Sequence, residues 1–495
     1  MTALADILGI SSERWPRVVV NTAQWQEAGE KIAAGLWTLV AHWGEPGMVH
    51  VALRERGSGK TGIVSIPAEN GSFPALGRQC YPARRLERSI ADLYGLVPKG
   101  APDARPWLDH GSWGVTHPLG AATPSQPQTP YAFLPVEGES LHQIPVGPVH
   151  AGIIEPGHFR FTCQGETVVR LESRLGYVHK GIEGLLAGAP LDRAAKLAGR
   201  ASGDSTVAYA SAFALAVESA SGITVPPRAA YLRAIMAELE RIANHIGDIG
   251  GVCNDAAFAI MLAHCGILRE RVLRCCDSVF GHRLMMDSVV PGGVARDITA
   301  DGIAEITALA DYLARKFPGI IALYDETASL QDRTVRTGMV AHELVALFGA
   351  GGYVGRASGR SFDARKILPV PPYDTLAFEV PLLERGDVDA RLRIRMQEIE
   401  QSLSLLRQLT SLPSGDIQIA VPHKAGEGAA LVEGFRGDIF AFVRLAQDGS
   451  VARCHLRDPS QFHWPLLETA IDGNIVADFP LLNKSFNCSY AGHDL

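Results

Sequence analysis

Prolines at 118, 124, 127, 130, 135, 145 and 148 crowd one stretch of this chain. Each lacks the backbone N–H that a helix interior or a central strand would use, and its ring fixes φ, so the stretch can sustain neither. The sequence therefore predicts an extended linker over 116–145, separating a unit over 1–115 from another over 146–495. At about 150 residues per domain, a chain of 495 residues has room for two to four domains.

Charge narrows the partners. Forty-six Lys+Arg against 53 Asp+Glu leave a formal net charge of -7, so no overall basic field would hold a phosphate backbone and no nucleic-acid partner is expected. Met1 to Ile10 has no basic segment ahead of an apolar run. The longest apolar candidate, 206–217, is too short to cross a bilayer, so neither an export signal nor a transmembrane segment is expected. Any membrane connection would run through a partner. The eight cysteines, at 80, 163, 253, 265, 275, 276, 454 and 488, include no C-x-x-C, and free buried thiols in a reducing cytosol are expected.

The first unit mixes short β-like runs at 17–20, 49–53 and 63–66 with helical stretches at 24–37 and 84–94, an α+β pattern. After the linker, Phe159, Phe161 and Cys163 alternate with polar residues up to Gln164-Gly165, and Val168 and Val169 resume, which predicts a small β-hairpin. The remainder is mainly α, a helix bundle with helices over about 202–220, 228–247, 255–280, 301–316, 340–348 and 387–410. In 228–247 the apolar residues Leu232, Ile235, Leu239, Ile242 and Ile246 form one inward stripe, while Arg233, Glu240 and Arg241 are expected to look elsewhere.

Two glycine motifs fail on spacing. Gly57-Ser58-Gly59-Lys60-Thr61 ends like a phosphate-binding loop, but the glycine needed at position 54 is Arg54. Gly349, Gly351, Gly352 and Gly355 follow a helical pattern instead of a strand and read as a bent connection. The thiols of His264-Cys265 and Cys275-Cys276 face different ways on a helix and read as core.

Longer motifs carry a resemblance. Gly147-Pro148-Val149-His150-Ala151-Gly152-Ile153-Ile154-Glu155-Pro156-Gly157-His158-Phe159 is followed by Gly176-Tyr177-Val178-His179-Lys180-Gly181-Ile182-Glu183. Further on come Arg228 with Glu238, Arg241 and His245, then Gly292-Gly293-Val294 with Asp297, Arg336-Thr337-Gly338, Arg356 to Gly359 with Asp363 and Arg365, and Gly473 to Asp478. In this order they resemble the large subunit of membrane-bound, energy-converting NiFe hydrogenases of the hydrogenase-4 and formate hydrogenlyase types, homologous to the 49-kDa subunit of complex I. The segment Leu86 to Gly95, with Arg105-Pro106-Trp107-Leu108-Asp109-His110, is similar to the 30-kDa subunit that such hydrogenases often carry fused in front.

The resemblance implies four thiolates for a nickel–iron centre, because soft sulfur ligands suit both metals. In register with the family, the early pair falls on Ser202 and Ser205 and the late pair on Ser489 and Gly492, so the expectation is that no metal is bound there. The sequence ends at Leu495 without the extension that hydrogenase maturation removes, which accords with no metal insertion. The quinone-binding branch is also incomplete: its headgroup histidine and tyrosine fall on Ile154 and Gly203.

What remains for chemistry, by resemblance, is Glu155 as a proton relay, or equally a loop carboxylate capping a turn, and Asp255 as an acid lining the old cleft, or equally a helix N-cap. Arg200 corresponds to an arginine that approaches the terminal 4Fe-4S cluster of the small subunit, or forms an ordinary ion pair. His179 is expected at the same interface, or as a core histidine, and Glu183 corresponds to a possible magnesium ligand. The implied function is a subunit, peripheral on the cytoplasmic face of the inner membrane, of an energy-converting hydrogenase-related or NADH-quinone oxidoreductase-like complex. Its implied partners are an iron–sulfur small subunit and antiporter-like and other membrane-arm subunits, and NAD would be reached only through the wider complex. A quinone-binding or small-carrier-binding oxidoreductase subunit and a non-catalytic scaffold are the alternatives.

Overall fold

A computed structural model describes residues 3–9, 13–125, 130–151 and 154–495. Pro127 of the linker and Gly152 and Ile153 of the first long motif lie outside the described residues.

The first unit is built on a four-stranded sheet in the order Arg17–Val19, Thr61–Pro67, Met48–Glu55, Trp37–Glu45. The first pair runs parallel and the others antiparallel. Helix Thr22–Ala33 is fixed at its start by a reciprocal cap: the Asn21 side chain accepts from Gln24 N at 2.9 Å and the Gln24 side chain accepts from Asn21 N at 3.1 Å. The helix stops at Ala33 and not at Trp37, because Gly35 takes φ +71 and turns the chain into a strand. That strand, Trp37–Glu45, was not expected. It is buried on both faces and so lacks the polar alternation that marks a half-exposed strand.

The expected hairpin is present as His158–Gln164 paired with Thr167–Arg174, but it gains a third strand, Leu141–Val146, from the end of the proline-rich stretch. The helical remainder holds Thr206–Ser221, Pro227–Asp255, Ala259–Phe280, Ala300–Asp325 and Val388–Leu409. The long helix Pro227–Asp255 runs eight residues beyond the expected end at 247. Glycines let it do so at close quarters: a Cβ on Gly250 would lie 2.8 Å from Cys265 Cβ of the next helix.

A second sheet was also not expected in the mainly α part: Gly426–Glu433, Asp438–Leu445 and Val451–Arg457, antiparallel throughout. The alanine-rich helix Thr206–Ser221 lies directly on it. A Cβ on Gly428 would fall 2.3 Å from Ala216 O and one on Gly426 2.2 Å from Ala220 O, so small residues on both partners set this approach. The other face of the same sheet covers the first unit: Trp43 meets Phe440 and Phe442 at ring centroids 5.8 and 5.3 Å apart, and Arg457 Nε donates to Val40 O at 2.7 Å.

Arg233, Glu240 and Arg241 correct the helical-stripe reading, since all three are buried. Each has a partner that makes burial tolerable. Arg233 pairs with Glu218 at 2.6 Å, Arg241 donates to Glu433 O and Gly434 O at 2.9 and 3.0 Å, and Glu240 accepts from Val207 N and Ala208 N at 2.7 and 3.1 Å.

Candidate functional site

The four positions that the resemblance sets against metal-binding thiols converge, although nearly 300 residues separate the first pair from the last. Ser202 leads into a single 3-10 turn, Gly203–Ser205, ahead of the alanine-rich helix. Ser489 caps the last helix, Tyr490–Asp494, by accepting from Gly492 N at 2.8 Å. The Ser202 and Ser489 hydroxyls meet at 2.8 Å. Ser202 gives its one hydrogen to Asp204 Oδ1 at 2.9 Å, which leaves Ser489 as the donor between the two serines. Ser205 also donates to Asp204 Oδ1, at 3.3 Å.

Charged groups occupy this centre. Arg436 donates from NH1 to Asp204 Oδ1 at 2.8 Å and to Ser205 Oγ at 3.2 Å, and from NH2 to Asp204 Oδ2. Desolvation pushes the Asp204 carboxyl up, but the Arg436 charge and hydrogen bonds, with those of the two serines, hold it below the usual carboxylate range. Beside Gly492 stands Asp458: a Cβ at 492 would lie 2.3 Å from its Oδ2, so only glycine fits there. Asp458 accepts from Tyr209 OH at 2.6 Å and from Ser460 N at 2.8 Å. Ser202, Ser205 and Ser489 are 4%, 2% and 4% exposed, while Asp204 keeps 36% of its side chain open at the rim. Hydroxyls already committed to one another, a glycine and a guanidinium do not make a donor set for nickel and iron. The nearby Cys488 thiol is buried, and burial raises it well above its ordinary value.

The other expected residues divide. Glu155 joins the cluster from outside, exposed, with its Oε2 accepting from Ala491 N at 3.1 Å in the first turn of the last helix. That is the capping geometry, placed between Ser489 and Gly492. His179 holds the other end of that helix, with Nδ1 2.7 Å from Asp494 O and its ring 4.7 Å from Trp113. Asp255 is no N-cap: it is the last residue of the long helix, its pKa raised by burial against the pull of Lys484. Another acid of that helix, Asp248, is bonded by Asn487 Nδ2, two residues before Ser489, at 2.8 Å and by Arg395 Nε at 3.1 Å.

Arg200 forms a surface ion pair, NH2 to Asp287 Oδ2 at 2.9 Å, and remains 40% exposed. Glu183 Oε1 lies 2.7 Å from His455 Nδ1 and accepts from Leu456 N at 3.2 Å. Among the described residues no three His, Cys, Asp or Glu side chains come together as a metal site. Glu183, His455, His179 and Asp494 border a cavity of about 440 Å³ whose far wall is Trp43, Ile90 and Tyr94 of the first unit. Sequence reasoning missed Asp204, Arg436, Asp458 and Tyr209. Only Asp204 gave a signal, by its place between Ser202 and Ser205.

The chain is similar to known proteins over most of its length. The family model of the respiratory-chain NADH dehydrogenase, 49 Kd subunit, matches residues 255–425, and that of the 30 Kd subunit matches residues 49–129. Formate hydrogenlyase subunit 5 of Escherichia coli (strain K12) is 29% identical over 447 residues, covering 87% of this chain and 78% of its own. The carbon monoxide-induced hydrogenase of Rhodospirillum rubrum is 33% identical over 355 residues, covering 70% of this chain and 98% of its own. A chain in the structure of the membrane-bound sulfane sulfur reductase, an archaeal respiratory membrane complex, superposes with a TM-score of 0.68 at 27% identity, covering 73% of this chain and 100% of that one. The chain thus belongs to the family that unites the 49 Kd subunit of NADH dehydrogenase with the large subunits of membrane-bound hydrogenases, and it carries the 30 Kd type ahead of the 49 Kd type in one polypeptide.

Proposed function

We propose that this chain is the fused large subunit of a membrane-associated, energy-converting complex that works without a nickel–iron centre. It sits on the cytoplasmic face of the inner membrane, contacts the 4Fe-4S cluster of an iron–sulfur small subunit, and couples electron transfer to a proton-translocating arm of antiporter-like subunits. The observation that supports the reading is the convergence of Ser202, Ser205, Ser489 and Gly492, the positions that the resemblance sets against the family's thiolates, near the Arg436–Asp204 pair. No helix of the described residues is long and apolar enough to cross a membrane, which supports attachment through partners. The archaeal relative is named for sulfane sulfur reduction, so this frame serves a named reaction other than hydrogen turnover in that protein. Glu155 is the proton carrier of this reading, and Arg200 and His179 face the small subunit.

Purification from native membranes tests it. An iron–sulfur protein and antiporter-like membrane proteins should accompany the chain, with nickel far below one per chain. A partnerless monomer, or a nickel–iron centre that turns over hydrogen, would overturn the reading.

The hydrogen-bonded packing of the three serines also favours a second reading, a non-catalytic scaffold. Glu155→Gln and Asp255→Asn variants that keep full activity of the complex, while changes at the subunit interface abolish assembly, would select it.

A further inference from the structure

Away from the serine cluster, four buried carboxylates share three guanidiniums. Glu238 faces Arg365 at 3.0 Å and Arg241 at 3.4 Å, and Asp363 faces Arg365 at 2.7 Å and Arg356 at 3.5 Å. Glu398 faces Arg356 at 2.7 Å and Arg241 at 3.7 Å, and His245 Nε2 lies 2.8 Å from it. Among the described residues Glu433 faces Arg356 alone within 4.0 Å, at 2.9 Å, and accepts one further bond, from Ala364 N at 2.9 Å. Its one cation therefore serves two other carboxylates as well, each of which has a second basic partner. Tyr373 and Ser402 donate to Glu238, both at 2.6 Å, and leave Glu433 untouched.

Beyond contact distance, Asp438 of the next strand opposes a negative charge on Glu433, although Arg457 pairs with it. Arg360 favours that charge and, although burial lowers its pKa to about 9, it stays a cation at neutral pH. His245 supplies no fourth cation, because burial lowers its pKa against the pull of Glu398.

We propose that Glu433 is a proton-binding site, which takes up and releases one proton on behalf of this buried charge cluster and exchanges it with water in the adjoining cavity. That cavity, of about 350 Å³, is bordered by Arg365, Tyr373 and Glu433 as well as by apolar Leu215 and Val432, and the Glu433 side chain lies fully buried behind it, so exchange needs a local opening. The proton adds to a Glu433 carboxylate oxygen from water and returns to it, and no other bond changes. Desolvation first, then Asp363, push the Glu433 carboxyl up to about 7 against the pull of Arg356, so the exchange falls near neutrality. The site goes beyond the reading above, since it depends on no partner and no redox step, though a proton-translocating complex would have a use for it.

Infrared difference spectroscopy of the purified complex, with glutamate isotopically labelled, tests it. Acidification across neutrality should bring up two labelled carboxylic-acid C=O bands, one with a midpoint at about 7 that is lost in Glu433→Gln and kept in Glu240→Gln, and one at about 8 that behaves the other way. Glu240 is the control because it is also buried, with burial pushing it to about 8. If no labelled band is lost in Glu433→Gln, the proposal is overturned. If Glu433→Gln does not fold, Glu433→Asp decides: it removes the labelled glutamate while keeping the charge, so the band at about 7 disappears if Glu433 is the site and remains if it is not.

Discussion

At Tyr209 a single hydroxyl satisfies Asp458 beside the serine cluster, because Asp458 is buried and accepts from Tyr209 OH at 2.6 Å with no basic residue within 4.0 Å among the described residues. Tyr209→Phe removes that donor and leaves a buried oxygen short of a bond, which should cost about 1–3 kcal/mol in urea unfolding. Arg436→Met should cost less, about 1 kcal/mol, because Asp204 is partly open and water screens it. The sign with pH follows from the lowered Asp204 pKa. The pairing stabilises the fold above the unfolded value near 3.8, and that contribution is lost as pH falls through the folded value. Wild-type and Arg436→Met urea midpoints should therefore differ at neutral pH and converge in acid. The serine and glycine positions were legible in the sequence because they sit in motifs with fixed spacing. Arg436 and Asp458 were not, since 232 and 249 residues separate them from Asp204 and Tyr209, and no local pattern encodes such a meeting.

Elements place these side chains through a few tight backbone approaches. Helix His342–Phe348 passes through a glycine run to helix Gly352–Ala357, the bent connection that the spacing predicted. Gly352 has φ +63, and a Cβ there would lie 1.9 Å from Arg436 O. Gly352→Ala thus meets a strained backbone and a clash with the residue that holds Asp204, and the expected loss is about 2–4 kcal/mol in thermal or urea unfolding. Gly351→Ala, which would press a Cβ to 2.3 Å from Asp438 Oδ1, should fall in the same range. Periodicity revealed the bundle helices, whose apolar stripes face one core. It missed Trp37–Glu45 and the sheet over 426–457 for a physical reason: strands covered on both faces carry continuous apolar runs, and Ala/Gly positions chosen for close helix contact blur them further.

For the whole molecule, the question is whether the proline-rich stretch is a hinge. The contacts argue otherwise. One apolar cluster runs without a break from Trp25, Trp37 and Trp107 of the first part to Phe159, Trp464 and Phe486 of the second. Polar ties cross the same boundary, among them Arg85–Glu468 at 2.6 Å, Arg444–Glu45 at 2.5 Å, and Arg457 Nε to Val40 O. Separation would bare Trp43, which is packed between His50 and His455 at 5.0 and 4.9 Å, and would strand the buried Arg457 guanidinium without one of its acceptors. The two parts should therefore unfold together: tryptophan fluorescence and helical circular dichroism should give coincident urea transitions, whereas independent domains would give two. Residues 1–115 expressed alone should unfold at lower urea than the intact chain, and co-expression with 116–495 should restore the lost stability, because the missing face is supplied by contact and not by the covalent link.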